Sequence, residues 1–283
     1  MEIKKVGVVG AGIMGAGIVQ VSAQMGYQMV VSEVNDELLK KGLGIINAGY
    51  TKNVEKEKMS QQDKDAALGR IKGTTNMQDF SDCDVVIEAV VENLDLKKKI
   101  FADLDKICRP DAILASNTSC LSIIDMASQT KRPEKVLGLH FFNPVVMMRL
   151  LEIVRTIATS DETIAAVKPY GESLGKSMIV AKDTPGFIVN HLLLPFMLDG
   201  IRMYENGVAS KEDIDAGVHL GLNHPMGPLT LADLTGNDTN LFVADALYEA
   251  TKDPKFVAPI LLRKMVAAGW LGRKSGKGFY DYT

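Results

Sequence analysis

The chain has 283 residues, 46% of them apolar, which is long for one hydrophobic core and rich enough to fill two. Its formal net charge is −3 with both signs interspersed, which excludes a broad basic face for nucleic acid but leaves room for a small cationic pocket. The three cysteines, Cys83, Cys108 and Cys120, are unevenly spaced and lie outside any metal-ligand motif, so neither a metal site nor a disulfide framework is predicted. No apolar run is long enough to span a bilayer. The start, MEIKKVGVVGAG, lacks signal-peptide anatomy. The expectation is a cytoplasmic chain with no membrane and no nucleic-acid partner.

Short β-branched runs at 6–10, 28–33, 71–75, 84–90, 112–117, 136–142, 149–154 and 178–182 predict strands. Helical patterns fill most of the gaps between them. This is the signature of an α/β, doubly wound, Rossmann-type sheet, parallel at least in its first half. The connection between 136–142 and 149–154 is too short for a parallel crossover, so an antiparallel pairing is expected there. The stretch between Glu33 and Ile71 has no strand and reads as two helices near 36–58 and 60–70, with a charged tip, KNVEKEKMSQQDKD. After Asp183 the pattern turns helical. PGFIVNHLLLPFMLDGIRMYENG reads as one amphipathic helix that tolerates Pro195. SKEDIDAGVHLG follows, with Ser210 as N-cap and Glu212 and Asp213 in its first turn. Further helices are predicted near 227–235, 238–251 and 258–268. The domain assignment is 1–184 for the dinucleotide-binding domain with its helical insertion near 36–70, and 185–283 for an all-helical domain.

Gly10, Gly12 and Gly15 make G-x-G-x-x-G between a strand and a helix. In this context the first glycine permits the turn, the second admits a pyrophosphate and the third lets helix approach strand. The turn Gly10, Ala11, Gly12, Ile13, Met14, Gly15 is therefore the expected cofactor cradle. Glu33 ends the second strand, where a carboxylate accepts ribose hydroxyls and repels a 2′-phosphate. Its neighbours Ser32 and Val34 offer no arginine, so NAD is favoured over NADP, although Lys40 and Lys41 follow on the next helix. Glu92 and Lys97, in VENLDLKKK, lie past another strand end, at the ligand edge of such a sheet. Position alone leaves open a plain helix start with charge pairing.

Ser119 follows the strand run AILASN, either as a helix cap or as a ligand contact. His140 lies at a strand end on the same edge. Glu152 sits among Leu150, Leu151, Ile153 and Val154, where a carboxylate needs a partner. If the two runs are neighbours, Glu152 can bond one imidazole nitrogen and hold the other towards a ligand. The alternative is a surface pair between Glu152 and a lysine or arginine. Asn190 faces either a cleft or solvent.

GAGIMGAGI, VIEAVVENLDLK, ASNTSCLSI, GLHFFNPV, KDTPGFIVN, GLNHPMGP and GWLGRKSGKGFYDY together resemble the L-3-hydroxyacyl-CoA dehydrogenases, end to end, and most the bacterial 3-hydroxybutyryl-CoA branch. The resemblance implies an NAD-binding domain and a helical domain that makes most of a homodimer contact. It implies reversible oxidation of the (S)-3-hydroxy group of an acyl-CoA. His140 becomes the general base and Glu152 its partner. Ser119 and Asn190 hold the substrate oxygen, and Asn143 supports the site. Glu33 binds the adenine ribose, while Glu92, Lys97 and Lys274 lie around the cofactor. Lys56 on the insertion matches a CoA contact. Gly49 stands where the family often has serine, Cys120 where serine is usual, Val146 where proline is frequent, His191 where arginine is common and Arg149 where lysine is common. Rival readings are an NAD enzyme for a 3-hydroxy acid without CoA, and a dinucleotide-binding protein without turnover.

Overall fold

The structure is a computed structural model and describes residues 1–282. In chain order the first unit, Met1–Thr184, contains β1 (Lys5–Val9), α1 (Ile13–Gln24), β2 (Gln28–Ser32), α2 (Asp36–Glu55), α3 (Gln61–Leu68), β3 (Ile71–Thr74), β4 (Val85–Glu88), α4 (Leu94–Ile107), β5 (Ile113–Ser116), α5 (Ile123–Ala127), β6 (Val136–Phe141), β7 (Leu150–Arg155), α6 (Asp161–Ser173) and β8 (Ser177–Lys182). The eight strands form one sheet in the order β3-β2-β1-β4-β5-β6-β7-β8. Pairings from β3 through to β6 are all parallel, and β6 meets β7 antiparallel, as the short connection requires. Strand order reverses between β1 and β4, which makes a crevice at the carboxyl ends of those strands.

The central strands are apolar on both faces because helices cover both. Val6, Val8, Val30, Val31, Val85, Val86, Ile87 and Leu114 are fully buried. The outer strand β8 is partly exposed, with Ala181 its one buried residue. Several ends differ from the sequence reading for local reasons. β4 stops at Glu88, two residues early, because the Glu88 carboxylate takes the Val90 N–H at 2.7 Å. α2 is capped by Asn35, which accepts from Leu38 N–H, and α3 by Ser60, which accepts from Asp63 N–H.

From Pro185 onward the described residues form a second unit with five α-helices: α7 (Val189–Glu205), α8 (Lys211–Leu222), α9 (Pro228–Thr235), α10 (Asn237–Thr251) and α11 (Ile260–Ala267). α7 starts at Val189, not at Pro185. Gly186 (φ 76°) and Phe187 (φ 50°) are left-handed, so the PGF segment is a turn and only the remainder is helix. Pro195 sits inside α7, and Ser210 caps α8 above Glu212 and Asp213. Buried Asp233 ties down the chain's last turn, accepting from Phe279 N–H at 3.0 Å, Tyr280 N–H at 2.9 Å and the Tyr282 hydroxyl at 3.0 Å. Among the described residues no helix is long and apolar enough to cross a membrane, and no cluster of side chains could hold a metal.

Candidate active site

The glycine turn follows β1 at the point where strand order reverses. Gly10 has φ 98°, and a Cβ there would lie 2.8 Å from the Ala89 carbonyl oxygen. A Cβ on Gly15 would run into the Gly10 carbonyl oxygen. Both are required by the protein itself. Gly12 is different: a Cβ there would meet nothing within 4 Å. It is the N-cap of α1, no side chain caps that end, and no acidic residue occupies its first turn. The missing side chain therefore leaves space at a positively polarised helix end, which fits a pyrophosphate.

Ala11 is buried, and its N–H donates to Glu33 Oε1 at 2.7 Å. Glu33 thus touches the turn as well as standing at the end of β2. Ile13 and Val34 beside it are 69% and 83% exposed, an apolar rim suited to a base or ribose face. Met14 packs partly against the core.

Past β4 and β5 lies a polar network. Lys97 is 1% exposed, so it is not the open cation that its sequence position invited. Its ammonium donates to Glu88 Oε1 at 2.6 Å and to the Val90 carbonyl, and reaches Glu92 Oε2 at 3.3 Å. Ser116 donates to the other Glu88 oxygen at 2.6 Å. Glu92 accepts from the Thr118 hydroxyl at 2.9 Å and from the Ser119 N–H at 2.8 Å and hydroxyl at 3.1 Å. One buried ammonium is therefore shared by two carboxylates, and the second of these carboxylates positions Ser119. Glu88 and Thr118 were missed in the sequence. The signal was available for Glu88, a carboxylate inside an apolar strand.

His140 and Glu152 are direct partners in the antiparallel β6–β7 register. Cross-strand partners share a face, and the distance from His140 Nδ1 to Glu152 Oε2 is 2.7 Å. Glu152 is 0% exposed and His140 5%. The carboxylate holds the Nδ1–H tautomer and directs Nε2 away from β7. Asn117 at the end of β5 accepts from Phe141 N–H at 2.9 Å and fixes the strand end beside His140. Asn143 is exposed on the following loop, and its bond to Pro144 is cis.

The other candidates are more scattered. Lys56 is exposed at the C-terminal end of α2. Gly49 faces Gln20 of α1, and a Cβ there would lie 2.6 Å from the amide oxygen, so a serine would have to displace Gln20. Cys120 is buried, and burial, reinforced by the nearby Glu92 charge, pushes its thiol up to about 12. In the second unit, Asn190 lies in the first turn of α7 and Lys274 pairs with Asp238 near the chain end.

A switch-point glycine turn, a carboxylate past the end of β2 and a buried His–Glu pair on one sheet fit a dinucleotide-dependent oxidoreductase framework. Residues 5–184 match the NAD-binding domain of 3-hydroxyacyl-CoA dehydrogenase, and residues 186–282 match its C-terminal domain. The chain belongs to the 3-hydroxyacyl-CoA dehydrogenase family. It is 48% identical to a probable 3-hydroxybutyryl-CoA dehydrogenase of Deinococcus radiodurans, over 98% of this chain and 100% of that one. It is 47% identical to the 3-hydroxybutyryl-CoA dehydrogenase of Mycobacterium tuberculosis, over 99% of each. The crystal structure of the (S)-3-hydroxybutyryl-CoA dehydrogenase of Ralstonia eutropha superposes with a TM-score of 0.95, at 46% identity and 100% coverage of both chains.

Proposed function

We propose that the chain interconverts (S)-3-hydroxybutyryl-CoA and acetoacetyl-CoA with NAD. The observation that carries the reading is the buried 2.7 Å contact between His140 and Glu152 in a sheet with an open dinucleotide turn. Relatives named 3-hydroxybutyryl-CoA dehydrogenase at 48% and 47% identity support the substrate.

When bound, the nicotinamide accepts or supplies the hydride. The protein's part is proton transfer and positioning. In the oxidative direction His140 Nε2 takes the proton of the 3-hydroxyl, and Glu152 stabilises the imidazolium through Nδ1–H. In reduction the same nitrogen returns the proton to the forming alkoxide. Such transfer supplies about 10²–10⁴-fold. Orientation of the reactants contributes more. Ser119, held by Glu92, and Asn190 are assigned to the substrate oxygen. Asn143 supports them. Glu92 and Lys274 are assigned to the cofactor, and Lys97 acts on it through Glu92. Lys56 is assigned to the CoA phosphates.

Glu33 favours NAD over NADP. Its carboxylate already accepts from the Ala11 N–H, and a 2′-phosphate beside it would meet like charge with no arginine in the adjoining Ser32 or Val34. The helical unit is assigned to a homodimer contact, and the setting to the cytoplasm. The decisive experiment follows NADH oxidation with acetoacetyl-CoA beside free acetoacetate, repeated with NADPH. Fast turnover with NADH and the thioester alone is expected. Equal rates on the free acid would favour a CoA-independent dehydrogenase, and NAD binding without turnover would end the enzymatic reading.

A further inference from the structure

Lys176 is a buried cation outside the groups considered so far. It is 9% exposed and forms no ion pair among the described residues. Burial alone pulls its pKa down. An uncompensated ammonium in such a place is unfavourable, and a methionine of similar volume would fill the space without that penalty.

What the ammonium does is specific. It donates to the Val145 carbonyl at 2.5 Å and to the Met148 carbonyl at 2.8 Å. Both belong to the loop that joins β6 to β7, between His140 and Glu152. The loop closes on itself through the Pro144 carbonyl, which accepts from Met147 N–H at 2.9 Å and Met148 N–H at 3.0 Å. On its other side, buried Val145 rests on Gly17 of α1, where a Cβ would lie 2.9 Å from Val145 Cβ. Two carbonyls facing inward leave Val146, Met147 and Met148 outward, at 50%, 74% and 41% exposure.

The backbone delivers Lys176 to this place. Gly175 is left-handed at φ 69°, Gly175 N–H bonds the Glu172 carbonyl and Lys176 N–H bonds the Gly171 carbonyl. That is the Schellman termination of α6, with Lys176 as the first residue beyond it. Ser177 then pairs with Leu150 at the start of β7. Lys176 thereby reaches the loop from a fixed helix end.

We propose that Lys176 is a positioning residue: its ammonium clamps the β6–β7 loop and so fixes Asn143 and the approach of His140 to substrate. The proposal rests on the function proposed above. A loop without its clamp misplaces these groups by a fraction of an ångström to an ångström, which costs up to about 10²-fold in rate.

The test compares full-length wild type with Lys176→Met and Lys176→Arg, using NADH and acetoacetyl-CoA. Lys176→Met is expected to lower kcat by about 10-fold or more, with KM within about threefold and NADH affinity within about twofold. Amide exchange in 142–149 should quicken. Lys176→Arg, which keeps charge and donors, should recover much of the lost kcat. Full kcat in Lys176→Met overturns the proposal, as does a loss that Arg does not recover or one shared equally by NADH binding. If Lys176→Met does not fold, Lys176→Gln is read the same way for kcat and exchange, and full kcat again overturns it. Absence of wild-type turnover would refute the proposed function instead. Exchange of 142–149 is then the readout, and unchanged exchange in the variant overturns the clamp.

Discussion

Glu152→Gln isolates the charge of the proposed dyad. Glutamine has nearly the same shape, so a site that is 0% exposed gains no cavity. Its amide oxygen can still accept from His140 Nδ1–H, where the carboxylate oxygen now stands at 2.7 Å. What disappears is the negative charge that stabilises the imidazolium. A hydrogen bond to a charged group contributes about 1.5–3 kcal/mol against about 1 kcal/mol for a neutral one, so the bond alone loses about 0.5–2 kcal/mol. A full charge pair about 4 Å apart at an effective dielectric of about 20 sets a ceiling near 4 kcal/mol. These bounds translate to a fall in kcat between about 2-fold and about 10³-fold. If the amide instead presents its NH₂ to Nδ1, the imidazole adopts the other tautomer and the loss approaches the roughly 10⁴-fold seen when a protease triad suffers the same change. The assay is NAD reduction at saturating (S)-3-hydroxybutyryl-CoA, with KM and NAD affinity measured in parallel. KM should stay within about threefold, because the lost interaction strengthens only as charge develops. An unchanged kcat, or a loss confined to KM, refutes the reasoning.

Three other outcomes are expected. His140→Ala should lower kcat by about 10²–10⁴-fold or more with NADH affinity unchanged, and near-full activity would remove the dyad from the mechanism. Lys97→Met leaves Glu88 buried without its ammonium, which costs about 3–5 kcal/mol; the thermal midpoint should fall by about 6–20 °C, and an unchanged midpoint would mean that the Glu88 carboxylate is neutralised some other way. The thiols are held up by burial, to about 12 for Cys83 and Cys120 and about 11 for Cys108. Because the thiolate is the reactive form, less than about one molecule in 10³ carries it at pH 8 at any of these positions. A disulfide reagent should titrate none of them in the folded chain and all three after denaturation, and rapid native labelling of Cys120 would contradict the burial argument.

The sheet was legible because its central strands are buried on both faces and so read as β-branched runs. Their ends were not, since side chains decide them: Glu88 takes the Val90 N–H, and Asn117 takes the Phe141 N–H. PGF looked helical because its apolar spacing continues that of α7, whereas Gly186 and Phe187 have positive φ, which no periodicity reports. In the site, the His140–Glu152 partnership followed from strand adjacency. The orientation of Lys97 did not. On a helix surface it reads as one of three consecutive lysines, and only the three-dimensional position of Glu88 explains why this one turns inward. Lys176 escaped for a related reason, because its partners are carbonyls and carry no sequence mark.

Two glutamates inside apolar strands, Glu88 and Glu152, obey one rule with different results. Each is 0% exposed, and a buried carboxylate persists only with donors or an opposite charge. Glu88 meets a lysine that takes no part in the proposed proton transfer, so its pairing is static and its effect passes through the same ammonium to Glu92 and Ser119. Glu152 meets an imidazole, which on the proposed mechanism gains and loses a proton. Its pairing strengthens when His140 gains a proton and weakens when it loses one. On the proposed roles, the sheet places one ion pair behind Ser119 and another, dependent on the proton, behind His140. Exchanging these roles would fail in both places, because a lysine at 140 would not give up its proton at neutral pH and a histidine at 97 would leave Glu88 without a dependable counter-charge.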